Sequence, residues 1–293
     1  MTATASTNGA EVDPGLLCLD AGDFRQRLMF LRAQANAIRR WTIALAGRAG
    51  APHVGQALSA VDLLTALYFH VLRVNPLLPT WVERDRVLVS SGDIASGLYA
   101  TLGARGFLRL EEVQSFLADG SRLAGRPVAA VPGVEVSTGS PGHALAIGIG
   151  LALAARRFEA EWRTFVLLSD AECADGATWE AAGAATHLRL DNLIAVVNDS
   201  GLLPSGHTRD LASVERQVAK WESFGWSVQE VDGHDVGAIC GAFEHFARLS
   251  EQPGVIIAHT TSGKGVSFME DQAAWQRMAP APDEVRRALK ELA

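Results

Sequence analysis

The chain has 293 residues, with 26 Lys and Arg against 33 Asp and Glu, a formal net charge of −7. An acidic balance argues against a nucleic-acid or anionic-membrane binder, since both usually need a basic face. With 48% hydrophobic and 20% charged residues the chain can bury a substantial core, which excludes wholesale disorder.

Residues 1–13, beginning MTATASTNGAEV, read as a flexible tail ahead of one domain spanning 14–293, because no linker, repeat or low-complexity block interrupts the rest. No basic stretch followed by an apolar one opens the chain, so no secretory signal is expected. Cys18, Cys173 and Cys240 are too few and too scattered for a disulfide framework or a zinc site. They read as small buried residues of a reducing, cytoplasmic protein.

Phe24 to Ala46 carries Leu28, Leu31, Ala35 and Ile38 on one face at helical spacing, which predicts an amphipathic helix with core positions there. A second helix is predicted from about Ser59 to Val71, with Leu63, Leu64, Leu67 and Tyr68 as its apolar face. The longest uninterrupted apolar and glycine stretch, Ala144 to Ala155, is too short for the roughly 20 residues that span a bilayer. Four other apolar runs are short and continuous: Arg86 to Ser90, Thr164 to Leu168, Leu193 to Val197 and Gly254 to Ala258. Helical or loop sequence separates them, as it separates buried parallel strands. The expected fold class is α/β, an open, mostly parallel sheet flanked by helices.

Ligands of such sheets collect beyond the carboxyl ends of the strands. Those tails here are Ser90-Ser-Gly-Asp-Ile-Ala-Ser96, Ser169-Asp-Ala-Glu172, Asn198-Asp-Ser-Gly-Leu202 and His259-Thr-Thr-Ser-Gly-Lys-Gly265. They combine small residues with hydroxyls, carboxylates and a lysine, as a phosphate and metal site requires. If the second and third runs are neighbouring strands, the Asp170 carboxylate, the Ser200 hydroxyl and the Leu202 carbonyl converge on one hard cation. Mg²⁺ suits such a set because it completes its shell with phosphate and water. Asp170 reads equally as a helix N-cap or a solvated carboxylate. Gly139-Ser-Pro-Gly142 ahead of the Ala144 to Ala155 helix suits a phosphate at a helix start, while tight helix packing by Gly148 and Gly150 explains the same composition. His53 lies in a turn ahead of a helix, where a lone histidine is usually solvated.

The order of the segments adds to this. His53-Val-Gly55 with Leu58-Ser59, the run Asp85 to Gly92, Pro132 to Ser140, Ser169 to Glu172 with Trp179-Glu-Ala181, Leu190-Asp-Asn-Leu193, Val231-Asp-Gly-His234 and Ser262 to Glu270 follow one another. Together, from about Arg27 to Trp275, they resemble the N-terminal half of a transketolase. More narrowly, the chain resembles the separate N-terminal subunit of a split transketolase with a diverged active site. The resemblance implies a thiamine diphosphate and Mg²⁺ site completed by a C-terminal transketolase-like partner subunit, in a homodimer or heterotetramer. It implies transfer of a two-carbon ketol unit between small, phosphorylated or carboxylated, sugar-like substrates, with an altered substrate in specialised metabolism.

Carried over residue by residue, the metal ligands are Asp170, Ser200 and Leu202. Gly139, Gly142, Asp170, Ala171, Glu172, Ser200 and Lys264 face the cofactor, and His53, Asp93, Arg126 and His143 are the catalytic candidates. The departures are specific. The family's Gly-Asp-Gly is Ser169-Asp170-Ala171, its metal asparagine is Ser200, and of this half's four active-site histidines only His53 remains. Ser-Lys-Gly-His is Ser90-Ser-Gly-Asp93, Gly-His-Pro is Gly125-Arg-Pro127, and the late Trp-His is Trp275-Gln276. A carboxylate at Asp93 facing a phosphate at about 4 Å costs on the order of 4 kcal/mol at an effective dielectric near 20, with Arg126 and Lys264 as compensating cations. Arg126 also suits bidentate binding of a carboxylate or phosphate, and His143 can replace one lost proton carrier. Two other readings stand beside the ketol transferase: a non-catalytic structural or regulatory paralogue, and a cofactor-independent enzyme using the same crevice. The stretch Ala174, Asp175, Gly176, Ala177, Ala181 and Ala182 reads as a flat surface for a neighbouring subunit, or as an ordinary buried helix.

Overall fold

The computed structural model describes residues 21–138, 141–203, 206–207 and 216–293. The tail read at 1–13, Cys18 and Gly139 lie outside the described residues.

The four continuous apolar runs are strands: β1 (Arg86–Val89), β2 (Thr164–Ser169), β3 (Leu193–Asp199) and, last in the chain, β7 (Gly254–His259). Between β3 and β7 come a short antiparallel ribbon, β4 (Leu202–Leu203) with β5 (Gly206–His207), and β6 (Ser227–Asp232). Among the described residues the main sheet has five parallel strands in the order β1-β2-β3-β7-β6. Every β2 residue is buried, as expected of a strand covered on both faces. β6 has no counterpart among the apolar runs of the sequence. It is an edge strand whose residues are half-buried or exposed, so no continuous apolar run marks it.

Successive strand residues point to opposite faces, and each face has its own buried cluster. On one, Phe165, Ile194 and Ile256 meet α1 (Ala21–Ala49), α2 (Val54–Ser59), α3 (Val61–Ala66) and α4 (Ala95–Arg105), with α5 (Leu110–Gln114) beside α4. On the other, Val166, Val197 and Val255 meet α6 (Ala144–Arg157), α7 (Gly176–His187) and α8 (Gln217–Ser223). α9 (Val236–Phe246) packs with the first group, and α10 (Pro282–Glu291) lies against α1.

The apolar face expected on α1 is buried at Leu31, Ala35 and Ile38. The second expected helix starts earlier than its apolar spacing suggests. His53 takes a left-handed backbone, φ 67°, and α2 begins directly after it; the chain is interrupted at Ala60 and ends in a π turn over Leu67–Val71. In α6, a Cβ on Gly148 would stand 2.6 Å from Val166 Cγ2, so that glycine is a close-packing position on β2; Gly150 faces outward with nothing nearby. Among the described residues no helix is long and apolar enough to cross a membrane.

Candidate active site

β2 and β3 are hydrogen-bonded neighbours, with Ser169 opposite Asn198. Their tails therefore leave the sheet side by side. Asp170, fully buried, accepts the Gly201 amide at 3.0 Å through Oδ2 and the Ala171 amide at 3.0 Å through Oδ1. The Ser200 hydroxyl, also buried, points to the Leu202 carbonyl at 3.5 Å. The carboxylate, hydroxyl and carbonyl singled out from the sequence thus share one loop pair.

Burial, and then the Asp199 carboxylate, push Asp170 up to about 7, and no cationic side chain among the described residues pairs with it. Negative charge concentrated this way, with oxygen donors only, fits a hard divalent cation that brings further oxygens from water or a diphosphate. Asp199 itself pairs with His259, whose Nδ1 lies 3.0 Å from it and whose Nε2 lies 2.7 Å from Glu230.

Glu172 has a different position from the other sequence candidates. Its Oε2 accepts the Ser169 amide at 2.8 Å and the Ser169 hydroxyl at 2.9 Å. Its Oε1 accepts the Gly142 amide at 3.0 Å and the Ser90 hydroxyl. A single buried carboxylate therefore ties the β1 tail, the β2 tail and the glycine loop before α6. Gly142 meets this geometry with φ 78°, a backbone that costs glycine nothing.

Asn198, for which the sequence offers no separate signal, makes a second tie. Its amide donates to Ser59 Oγ at 2.9 Å and accepts from Thr260 Oγ1 at 2.7 Å. The loop after β7 is fixed further by Gly263 N to the Gly55 carbonyl, 2.8 Å, and by Gln276 Nε2 to Ser262 Oγ, 2.7 Å. His234 anchors the same loop. Its Nε2 accepts the Thr261 amide at 2.7 Å, so its Nδ1 carries the hydrogen toward Asp62, 2.8 Å away, which Arg39 also engages. Lys264 is half-buried and pairs with Glu270 at 3.6 Å.

Beside the β1 tail lies a cavity of about 430 Å³. It is lined by His53, Asp93 and Arg126, three of the four catalytic candidates, with Ser96 and the apolar Pro52, Phe116 and Leu117. The Arg126 stem lies across Gly92, where a Cβ would come within 2.7 Å of its Cγ. His53 Nδ1 is buried without a hydrogen-bond partner and stands 3.8 Å from Asp93 Oδ2. A left-handed non-glycine residue costs on the order of 1–3 kcal/mol and persists where the surroundings over-determine it. His143 is not among the cavity's lining residues. It is exposed ahead of α6 and makes no capping bond.

Residues 31–292 match the family model described as the transketolase thiamine diphosphate binding domain. The chain belongs to the transketolase family. It is 38% identical over 262 residues to an apulose-4-phosphate transketolase subunit of Phocaeicola vulgatus, spanning 89% of this chain and 93% of that one. It is 34% identical to the 6-deoxy-6-sulfo-D-fructose transketolase subunit SqwG of a Clostridium species, spanning 89% and 96%. Among solved structures, transketolase from Campylobacter jejuni superposes with a TM-score of 0.84 at 30% identity, over 90% of this chain and 43% of that one. A Pichia stipitis transketolase variant complexed with xylulose 5-phosphate gives 0.85 at 28% identity, over 89% and 40%. The chain thus spans less than half of these solved transketolases and nearly the whole of the relatives named as separate subunits.

Proposed function

We propose that this chain is the diphosphate-binding subunit of a split transketolase-like enzyme, working with a separate C-terminal transketolase-like subunit to move a two-carbon ketol unit between sugar-like substrates. What supports this reading is the hydrogen bond that the Asp170 carboxylate accepts from the loop that carries Ser200 and Leu202, beyond β2 and β3, inside a chain that matches separate transketolase subunits almost end to end. In it, the Asp170 carboxylate, the Ser200 hydroxyl and the Leu202 carbonyl would hold Mg²⁺, with the glycine loop at Gly142, Ala171 and Lys264 toward the diphosphate. Thiamine diphosphate, when bound, would supply a nucleophilic carbon for the ketose carbonyl and a cationic ring as the sink for the electron pair of the cleaved carbon–carbon bond.

The chain's own groups bind and orient. Arg126 meets a phosphate or carboxylate of the substrate with its forked donors. His53, the histidine of the cavity, holds or moves a proton at a substrate hydroxyl. The apolar wall formed by Pro52, Phe116 and Leu117 limits water around them. The exposed small and apolar face of α6 and α7, with Ala146, Ile147, Gly150, Ala177 and Ala184, is proposed as the surface that meets a neighbouring subunit.

Calorimetric titration of thiamine diphosphate with Mg²⁺, with and without the partner chain, tests this reading. Saturable binding that is lost in Asp170→Ala, with at least about a hundredfold drop in affinity, is the expected result. Silence in both titrations removes the reading.

A further inference from the structure

The Asp93 carboxylate lines the cavity, yet among the described residues it accepts no hydrogen bond. Within ion-pairing reach among the described residues it has His53 Nδ1 at 3.8 Å, beyond hydrogen-bonding distance. That nitrogen is itself buried and unpartnered. The cavity therefore presents two facing polar atoms that no hydrogen bond joins. In the Nε2–H form of His53 both are acceptors, and they call for a group with more than one hydrogen to give.

A substrate hydroxyl has one hydrogen and satisfies one of them; an ammonium has three and satisfies both. Charge gives the same answer. Filling a cavity walled by Pro52, Phe116 and Leu117 strips water from Asp93, and a buried carboxylate is costly unless it is paired as well as hydrogen-bonded. A neutral hydroxyl leaves that charge standing, whereas an ammonium cancels it through a charge-assisted bond.

We propose that the sugar substrate of this subunit carries a protonated amine, held between the Asp93 carboxylate and His53 Nδ1, with its anionic end toward Arg126. This rests on the ketol-transfer reading for the identity of the cavity as the substrate site. Asp93 is then a specificity-determining residue, and the substrate class is an amino-deoxy sugar carrying a phosphate or carboxylate. Chemically, the substrate must come from a reaction that places nitrogen on a sugar carbon, such as transamination of a keto sugar.

The test is calorimetric titration of glucose 6-phosphate and its amino-deoxy analogues, with the amine at the second, third or fourth carbon, into the full chain with and without its partner. At neutral pH, where the amine is still protonated and an imidazole keeps an acceptor nitrogen, at least one amino sugar is expected to bind about tenfold tighter than the parent. In Asp93→Asn that preference falls below about twofold, and Asp93→Ser repeats the loss, each variant being read only with an unchanged melting temperature. Equal affinity for amine and hydroxyl, binding of neither, or a preference retained in both variants overturns the proposal. Thiamine diphosphate titration in the same preparations reads the ketol-transfer proposal separately, so a sugar result against the amine leaves cofactor binding as its own outcome.

Discussion

His259 joins the carboxyl ends of three strands by lying between Asp199 at the end of β3 and Glu230 on β6. The hydrogen bond to Asp199 raises it most, burial opposes the rise, and Glu230 adds to it, leaving His259 at about 9 against an ordinary 6.5. A histidine raised in the folded state contributes stability that is fully present below about pH 6.5 and lost as pH climbs through about 9. Because its side chain is 52% exposed, solvent screening reduces the effect to on the order of 1 kcal/mol. Urea denaturation at a series of pH values is expected to show that decline in the wild type and a flatter profile in His259→Asn. Glu172 is a larger matter. Glu172→Ala leaves the Ser169 and Gly142 amides and the Ser90 hydroxyl without their shared acceptor, and about 2–4 kcal/mol of unfolding free energy should go with it. An unchanged denaturation midpoint would show that water replaces the carboxylate at no cost.

At the scale of elements, α6 seats on β2 through one glycine and not the other. Gly148→Ala pushes a methyl into Val166 and is expected to cost about 1–3 kcal/mol, whereas Gly150→Ala meets nothing and should stabilise by about 0.5–1 kcal/mol through helix propensity. Thermal melts of the two variants, moving in opposite directions, check the packing. Burial also decides which elements are legible in the sequence. Buried central strands announce themselves as continuous apolar runs, so β1, β2, β3 and β7 can be read there, and so can the face of α1. β6 cannot, because an edge strand spelled Ser-Val-Gln-Glu-Val-Asp spends its side chains on solvent and on His259. The start of α2 is hidden for another reason: a histidine in a left-handed backbone sets it, and no apolar spacing records that. In the candidate site, the nearness of Asp170 to the Ser200–Leu202 loop is readable because adjacent parallel strands bring their tails together, while the metal role proposed for them rests on the resemblance. The tie made by Asn198 is not, since its partners Ser59 and Thr260 are distant in sequence.

For the molecule as a whole, the stretch read as a flat contact surface divides in two. Ala181 and Ala182 face inward to the cluster with Val166 and Val197, because helical spacing turns them onto the sheet, while Ala174, Gly176 and Ala177 stay exposed. Only the outer set can serve the proposed contact between subunits. Ala177→Arg places a long charged side chain on that surface without touching the core, so light scattering should report a smaller assembly with unchanged melting of the chain itself. An assembly that keeps its mass would move the contact elsewhere. The tie at Glu172 has a consequence for how such a protein diversifies. Positions 90, 142 and 169 share one carboxylate, so a change that moves the chain at any of them bears on the acceptor the other two use. Asp93 and Arg126 stand outside that knot, on the wall of the cavity. The wall is therefore open to substitution in a way that the frame behind it, held by one carboxylate, is not.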